Sequence, residues 1–136
     1  MSKKIVLLTD YKGNFGSHWA ASPYRSGLNL KIIKNEFIKK GYDVIVSSFE
    51  EIINNYTSNN VLINSIVLYT STEDIGYYYK DFIEDVILGL ENSGVKTIPS
   101  FKYLRSTNNK VFMEILRKFE FDKFDYLKSD IYGTYE

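Results

Sequence analysis

Apolar runs and amphipathic helices alternate along this chain, and this alternation constrains its fold more than any other feature of the sequence. Residues 4–9 are rich in leucine and β-branched side chains, which is typical of a fully buried parallel strand. An amphipathic helix is predicted over 26–40, Gly41 stands where a helix C-terminus favours glycine, and a second strand is predicted over 42–49. A strand, a helix, a glycine and a strand in this order predict a right-handed βαβ unit.

The same alternation continues to about residue 119. The patterns predict a short helix over 50–56, a strand over 65–71, a strongly amphipathic helix over 77–92 closed by Gly94, a short strand over 95–98 before Pro99, a helical turn over 101–105 and a helix over 108–119. Residues 120–136 lose this regularity. The sequence therefore predicts a three-layer α/β domain over 1–119 with a mostly parallel sheet of four to five strands, followed by a linker over 120–136.

Composition excludes several classes of function. The chain has 136 residues, with 17 basic and 17 acidic side chains, so a broad basic surface for nucleic acid or anionic membrane is not expected. It has no cysteine and a single histidine, which argues against disulfides, thiol nucleophiles and a multi-histidine metal centre. No apolar run approaches the roughly 20 residues of a membrane span. We expect a cytoplasmic protein with no nucleic-acid partner, no membrane partner and no metal ligands.

The connection from Asp10 to Gly27 is the strongest candidate for a binding loop. Strand-to-helix loops usually take about 2 to 6 residues, and longer ones in compact domains usually bind or gate. This loop also carries the only histidine and the only tryptophan of the chain. We predict that it contacts a small-molecule acceptor substrate through Asp10, Gly13, Asn14, Gly16, Ser17, His18 and Arg25. The competing interpretation is an interdomain or homodimer contact made by its aromatic side chains.

A second polar cluster follows the third predicted strand. The carboxyl ends of parallel strands meet at one edge of a sheet, so this cluster is expected near the first loop. Its candidate substrate-binding residues are Thr70, Ser71, Glu73 and Asp74. The alternative is an ordinary helix N-cap with acidic residues that favour the helix dipole.

No catalytic residue is predicted. His18 has no identifiable carboxylate partner in the sequence, so hydrogen bonding or packing is favoured over acid–base chemistry. Arg25 could make a bidentate bond to a carboxylate or phosphate, and a surface ion pair is its alternative. The triplet Tyr77–Tyr79 is predicted to pack on a helix face, because successive helix positions point about 100° apart.

Several motifs together resemble the amino-terminal, pre-ATP-grasp domain of bacterial ATP-grasp proteins. They are the Asp10–Trp19 run, Pro23–Gly27, Tyr69–Asp74, Ile98–Phe101 and Asn109–Leu116, and the terminal Tyr132–Glu136 is similar to the lead-in to the ATP-grasp portion. The resemblance implies Rossmann-like topology and a substrate-side role in a carboxylate–amine or related ligase. It also implies ATP and magnesium as cofactors of the full-length enzyme, an ATP-grasp domain as partner in cis, and Lys110 near the nucleotide phosphates. A solvated helix lysine is the alternative for Lys110.

The segments that hold ATP in that family are absent from this sequence. There is also no G-x-x-x-x-G-K-[ST] phosphate loop and no G-x-G-x-x-G dinucleotide fingerprint. We therefore expect no cofactor in this part of the protein and no turnover by this part alone, while the full-length parent is expected to be an ATP-dependent ligase. The alternative function is a stand-alone flavodoxin-like or receiver-like interaction module without enzymatic activity, and a glycosyltransferase-like amino-terminal domain is a third option.

Overall fold

The structure is a computed structural model, and it describes residues 3–16, 28–56, 62–70 and 79–120. Its elements follow the order β1 (Lys4–Thr9), α1 (Leu30–Lys39), β2 (Asp43–Ser48), α2 (Phe49–Tyr56), β3 (Ser65–Tyr69), α3 (Tyr79–Asn92), β4 (Lys96–Ile98), α4 (Phe101–Asn108) and α5 (Lys110–Glu120). None of the described helices combines the length and the apolar character that a membrane crossing requires.

The four strands form one parallel sheet in the order β2-β1-β3-β4. Strand β1 is central: it pairs with β2 from Lys4 opposite Asp43, and with β3 from Lys4 opposite Ser65. Five of its six residues are buried, which explains why its sequence is a continuous apolar run rather than an alternating one. The predicted α/β class with a mostly parallel sheet is confirmed, with four strands in the described residues.

Helices cover both faces of the sheet. Ile5 and Leu7 of β1 point to one face, where Ile33 and Phe37 of α1 pack against them. Leu8 points to the opposite face. Its register partner Tyr69 has its ring 6.2 Å from the ring of Phe49, the first residue of α2, and Phe49 in turn lies 6.3 Å from the ring of Tyr79, the first residue of α3. This arrangement confirms the predicted three layers, with α1 on one side and α2 and α3 on the other.

Glycine terminates both α1 and α3 in the same geometry. After α1, Gly41 takes a φ of 83°, its amide donates to the Ile38 carbonyl, and the Tyr42 amide donates to the Phe37 carbonyl. After α3, Gly94 takes a φ of 84° and the Val95 amide donates to the Leu90 carbonyl. Both patterns are Schellman caps, and a residue with a Cβ is strained in that left-handed backbone. The sequence prediction that glycines close these two helices is confirmed.

Helix α1 begins later than predicted. Asn29 caps it, since its side-chain oxygen accepts from the Ile32 amide at 3.1 Å, and the first helical residue is Leu30 rather than Ser26. Residues 26 and 27 lie outside the described part of the chain. The pattern overestimated the length because apolar spacing shows which residues share a face, whereas the side-chain cap determines where the helix starts.

Contacts divide the chain into two compact units, residues 1–101 and 102–136. In the described part of the second unit, Lys102 Nζ lies 2.5 Å from Glu120 Oε2, which links the start of α4 to the end of α5. Asn109 joins these helices and caps α5 by accepting from the Phe112 amide at 2.9 Å. Most of the predicted linker, residues 121–136, lies outside the described residues, so the domain boundary near residue 119 stays a prediction.

Candidate functional site

The candidate site lies where the direction of chain progression through the sheet reverses. From β1 the chain moves to β2 on one side, and it then crosses to β3 on the other side of β1. In open α/β sheets, ligands bind beyond the carboxyl ends of the strands at this switch point. The β1–β3 register ends at Leu8 and Tyr69, so Thr70 leaves the sheet beside Thr9, and Asp10 follows one residue later at the same edge. The sequence prediction had grouped Asp10 and Thr70 at one edge.

Asp10 organises the turn that follows β1. It is only 7% exposed, and its Oδ1 accepts from the backbone amides of Lys12 at 2.9 Å and Asn14 at 2.8 Å. Its Oδ2 accepts from the Asn14 side-chain amide at 3.3 Å. The turn is also closed through the backbone, because the Asp10 amide donates to the Asn14 carbonyl and the Gly13 amide donates to the Asp10 carbonyl. Both oxygens of this carboxylate are therefore engaged within its own turn.

The two described ends of the long loop meet. Phe15 is buried and pairs with Leu28 in an isolated antiparallel bridge. Phe15 also belongs to the core cluster of Ile5 and Leu7 beneath α1. The two described ends of the predicted binding loop are thus joined by this bridge, and Phe15 anchors the first of them in the apolar core.

The predicted site residues fall into three groups. Asp10, Gly13, Asn14 and Gly16 belong to the turn after β1, and Thr70 stands beside it at the end of β3. Lys110 is the exposed first residue of α5, in the second unit of the chain. The remaining predicted residues lie outside the described part of the chain: Ser17, His18, Arg25, Ser71, Glu73 and Asp74. Their roles stay predictions.

The structure adds Glu50 and Tyr79, which the sequence analysis did not select. The Tyr79 hydroxyl donates to Glu50 Oε1 at 3.0 Å, although 29 residues separate the two. Tyr79 is the first residue of α3, and its ring lies edge-on to the ring of Tyr11 at 5.4 Å. The predicted role of Tyr79, packing on a helix face, is confirmed, since its ring packs against Phe49 and Phe82. Its hydrogen bond to Glu50 was not predicted. The available sequence signal was position: Glu50 follows β2 and Tyr79 begins the helix after β3.

Glu50 is held in place by the cap of α2. The Ser48 side chain accepts from the Glu51 amide at 3.1 Å, and Glu51 Oε2 accepts from the Ser48 amide at 3.1 Å. This reciprocal pair is a capping box, and it fixes the first turn of the helix. Glu51 is therefore committed to capping, and its neighbour Glu50 is the acid that extends to Tyr79.

Electrostatics keep the two tyrosine hydroxyls protonated. Burial raises the pKa of Tyr79 well above its ordinary value, and the negative charge of Glu50, its hydrogen bond and the charge of Asp10 raise it further. A hydrogen bond from the Tyr11 backbone partly offsets this rise. The pKa of Tyr69 is also well above its ordinary value, because of burial and then the charges of Glu91 and Glu84. Both hydroxyls therefore stay protonated throughout the neutral range, and that of Tyr79 donates to Glu50.

Three buried oxygens have no hydrogen-bond partner in the described structure: Glu50 Oε2, Thr70 Oγ1 and Tyr69 Oη. Leaving a buried polar atom unsatisfied costs about 1–3 kcal/mol, so such atoms in a native fold call for a partner, either a water molecule or a ligand group. Two of them belong to residues near strand ends at the switch-point edge, since Glu50 lies two residues after β2 and Thr70 directly follows β3. The third, on Tyr69, belongs to the side chain whose surroundings on α3 include Glu84 and Glu91.

No set of three or more acidic, histidine or cysteine side chains in the described ranges is arranged to hold a metal ion. The site is instead a combination of carboxylates, hydroxyls and aromatic rings. Chemically, such a combination can accept hydrogen bonds, and its carboxylates offer little to an anion.

Comparison of the chain with family models, with curated proteins and with solved structures gives no match. The resemblance to ATP-grasp proteins therefore rests on the sequence motifs alone.

Proposed function

We propose that this chain is the substrate-side, amino-terminal domain of a bacterial ATP-grasp ligase. In such an enzyme ATP phosphorylates a carboxylate, and an amine or related nucleophile displaces phosphate from the acyl phosphate. The observation that best supports the proposal is the gathering of polar groups from the Asp10 turn and the end of β3 at the switch point of a parallel sheet. These groups belong to two of the motifs that carry the resemblance.

The chemistry of the Asp10 turn supports an acceptor role rather than a nucleotide role. In phosphate-binding loops, backbone amides point at the anion. Here the amides of Lys12 and Asn14 donate to the Asp10 carboxylate instead. A nucleotide phosphate would meet one carboxylate in place of free amides, and Glu50 adds a second negative charge nearby. ATP and magnesium are accordingly assigned to an ATP-grasp domain in cis, in a cytoplasmic enzyme.

The reading frame that encodes the chain provides the first test. The proposal expects the codons after Glu136 to continue into an ATP-grasp portion, or a neighbouring gene to supply one. A stop codon after Glu136 with no such gene nearby would contradict it.

Calorimetry provides a second test at the level of the domain. Mg-ATP titrated into the 136-residue chain is expected to give no binding heat, whereas the full-length enzyme should bind it. Micromolar affinity of this chain for Mg-ATP would overturn the assignment of the nucleotide to another domain.

Kinetics of the full-length enzyme provide a third test. Arg25→Ala is expected to raise KM for the acceptor more than KM for ATP, because Arg25 belongs to the predicted acceptor loop. Lys31→Ala, at an exposed position of α1, is the control and should change neither constant. Unchanged acceptor kinetics in the Arg25 variant would make the loop a docking surface between domains or between two copies in a homodimer.

The strand order favours a second candidate, a stand-alone flavodoxin-like or receiver-like interaction module. The order β2-β1-β3-β4 matches the first four strands of flavodoxin-like sheets. The residues at the strand ends fit this candidate less well, because a receiver uses an aspartate after the third strand and this chain has Thr70 there. Flavin mononucleotide and a phosphoryl donor such as acetyl phosphate are the discriminating probes, and binding or labelling by either would favour this second function.

A further inference from the structure

We propose that a cavity between α2 and α3 binds a small organic ammonium ion, with an apolar body inside the cavity and a cationic end near Asp85. The cavity has a volume of about 320 Å³. Ile53 of α2 lines it together with residues of α3, namely Phe82, Asp85, Val86, Gly89, Leu90 and Ser93. None of these residues belongs to the switch-point edge, so the inference goes beyond the proposed function and does not rest on it.

The lining of the cavity comes mainly from one face of α3. Phe82, Val86 and Leu90 recur every four residues, so they share a face of this helix. Val86 and Leu90 are both only 5% exposed, whereas Asp85 and Gly89 are exposed. The cavity therefore has an apolar interior and opens to the surface, where its acidic group lies.

Gly89 leaves part of the cavity wall without a side chain. It stands in the interior of α3, where glycine is a poorer helix former than any residue except proline. A Cβ built at this position would meet no described atom within 4 Å, and Gly89 is not among the glycines with a positive φ. Neither packing within the described structure nor backbone conformation therefore requires glycine here. Its consequence is a stretch of bare helix backbone, against which a flat ligand can lie.

Charge determines which ligands of this size suit the cavity. Asp85 is the one charged side chain among the described lining residues. The two helices that form the cavity carry six acidic side chains and one lysine, although the whole chain has no net charge. The acids are Glu50, Glu51, Asp81, Glu84, Asp85 and Glu91, and the lysine is Lys80. The potential around the cavity is therefore negative, which attracts a cation and repels an anion.

The size of the cavity favours a small molecule over a macromolecular partner. Small-molecule sites usually measure about 300–1,000 Å³ and are mostly apolar with a few polar groups. This cavity lies at the lower end of that range. It suits one ring with a short arm, whereas a docked helix needs a groove for several side chains. Apolar contact supplies most of the affinity, and Asp85 adds a modest preference for the cation, because ion pairs at exposed positions contribute little.

The test is an NMR titration of the 136-residue chain at neutral pH with three probes that share a phenyl ring. They are 2-phenylethylammonium chloride, the neutral 2-phenylethanol and the anionic 3-phenylpropanoate. We expect saturable binding of the cation, with amide shifts centred on Ile53 and on residues 82–93. The alcohol should bind about two- to fivefold more weakly, the ratio that an exposed ion pair supports, and the anion should bind more weakly still.

Two kinds of variant separate the cavity from the charge. Gly89→Leu should abolish saturable binding of all three probes, because its side chain occupies the cavity, and circular dichroism checks its fold. Asp85→Asn should bring the cation and the alcohol to equal affinity. Asp81→Asn is the matched control, because it removes the same charge at an exposed position one turn earlier in α3, outside the lining, and it should retain most of the preference.

Each outcome decides the proposal. It is overturned by the absence of saturable binding of the cation, by shifts centred elsewhere, by equal binding of the cation and the alcohol, or by unchanged binding in a folded Gly89→Leu chain. Equal effects of the Asp85 and Asp81 substitutions would also overturn it, and this comparison still decides if Gly89→Leu fails to fold. No nucleotide enters the titration, so its failure would leave the ligase proposal standing, and a missing ATP-grasp portion would leave the cavity site standing.

Discussion

Two carboxylates at the same edge of the sheet differ in how many of their oxygens are hydrogen-bonded. Asp10 has both oxygens engaged by the backbone and side chain of its own turn, whereas Glu50 has one oxygen bonded to Tyr79 and the other buried without a partner. A carboxylate satisfied within its own turn shapes a loop. A carboxylate with an unpaired buried oxygen retains an acceptor that a water molecule or a ligand group can satisfy.

This contrast distinguishes a carboxylate that holds the turn after β1, Asp10, from one that retains an unpaired oxygen, Glu50. The predicted contact of Asp10 with substrate stays a prediction, and the structure gives this side chain a definite role in closing the turn. Glu50 and Thr70 each have a buried side-chain oxygen without a hydrogen-bond partner in the described structure. The predictions below test this division, beginning with the largest expected effect.

Phe49→Ala should remove the aromatic packing at the start of α2, next to Glu50 in the chain. The Phe49 ring is fully buried and lies between the rings of Tyr69 and Tyr79, so its loss leaves a cavity beneath Glu50. We expect a loss of about 3–5 kcal/mol in the free energy of unfolding, measured by urea denaturation. Phe119→Ala is the control at an 81% exposed position and should change stability by less than about 0.5 kcal/mol. Similar losses in both variants would contradict the packing described here.

Asp10→Ala should destabilise the protein because three donors lose their acceptor at once. Hydrogen bonds to a charged group contribute about 1.5–3 kcal/mol, and partial solvation of the turn reduces their sum, so we expect a loss of about 2–3 kcal/mol in urea denaturation. Hydrogen exchange at the amides of Lys12 and Asn14 should accelerate. Asp43→Ala, an exposed aspartate of β2, is the matched control with little expected effect. Equal stability of the two variants would show that Asp10 does not organise the turn.

Glu50→Gln should behave differently from Asp10→Ala. The glutamine oxygen can still accept from the Tyr79 hydroxyl, while the buried charge on the unpartnered side disappears. We expect stability to stay within about 1 kcal/mol of the wild type or to rise, because removing a buried charge that is only partly paired is often neutral or stabilising. A loss above about 2 kcal/mol would mean that this carboxylate is as fully engaged as Asp10.

Alkaline pH should reveal, through stability, the raised pKa of Tyr79, which burial causes first and Glu50 second. The pKa of Tyr79 is raised in the folded state, so the folded protein retains a proton that the unfolded chain releases above its ordinary pKa of about 10. The stabilisation is fully present below that value and is lost as the pH rises towards the folded pKa. The free energy of unfolding should therefore fall less steeply above pH about 10 in Tyr79→Phe than in the wild type. Identical slopes would show that Tyr79 ionises alike in both states.

The sequence predicted the framework well because local chemistry determines it. The continuous apolar run of β1 indicated a central buried strand, and Gly41 and Gly94 indicated where α1 and α3 end. The start of α1 was misplaced because the Asn29 cap, a single side-chain hydrogen bond, decides it. Short-range signals of this kind are available in the sequence and only need to be weighted correctly.

The Glu50–Tyr79 contact could not be predicted in the same way. Its partners are 29 residues apart, and they meet only because α2 and α3 cover the same face of a sheet whose strand order is β2-β1-β3-β4. Neither residue belongs to a motif with a known chemistry. Predicting their contact requires the topology first, and the strand order is the part of the fold that local patterns determine least.

The difference in the free energy of unfolding between Asp10→Ala and Glu50→Gln, measured by urea denaturation under the same conditions, tests the division between the two carboxylates most directly. The account predicts that Asp10→Ala loses about 2–3 kcal/mol, while Glu50→Gln stays within about 1 kcal/mol of the wild type or becomes more stable. Equal losses in the two variants would contradict the account.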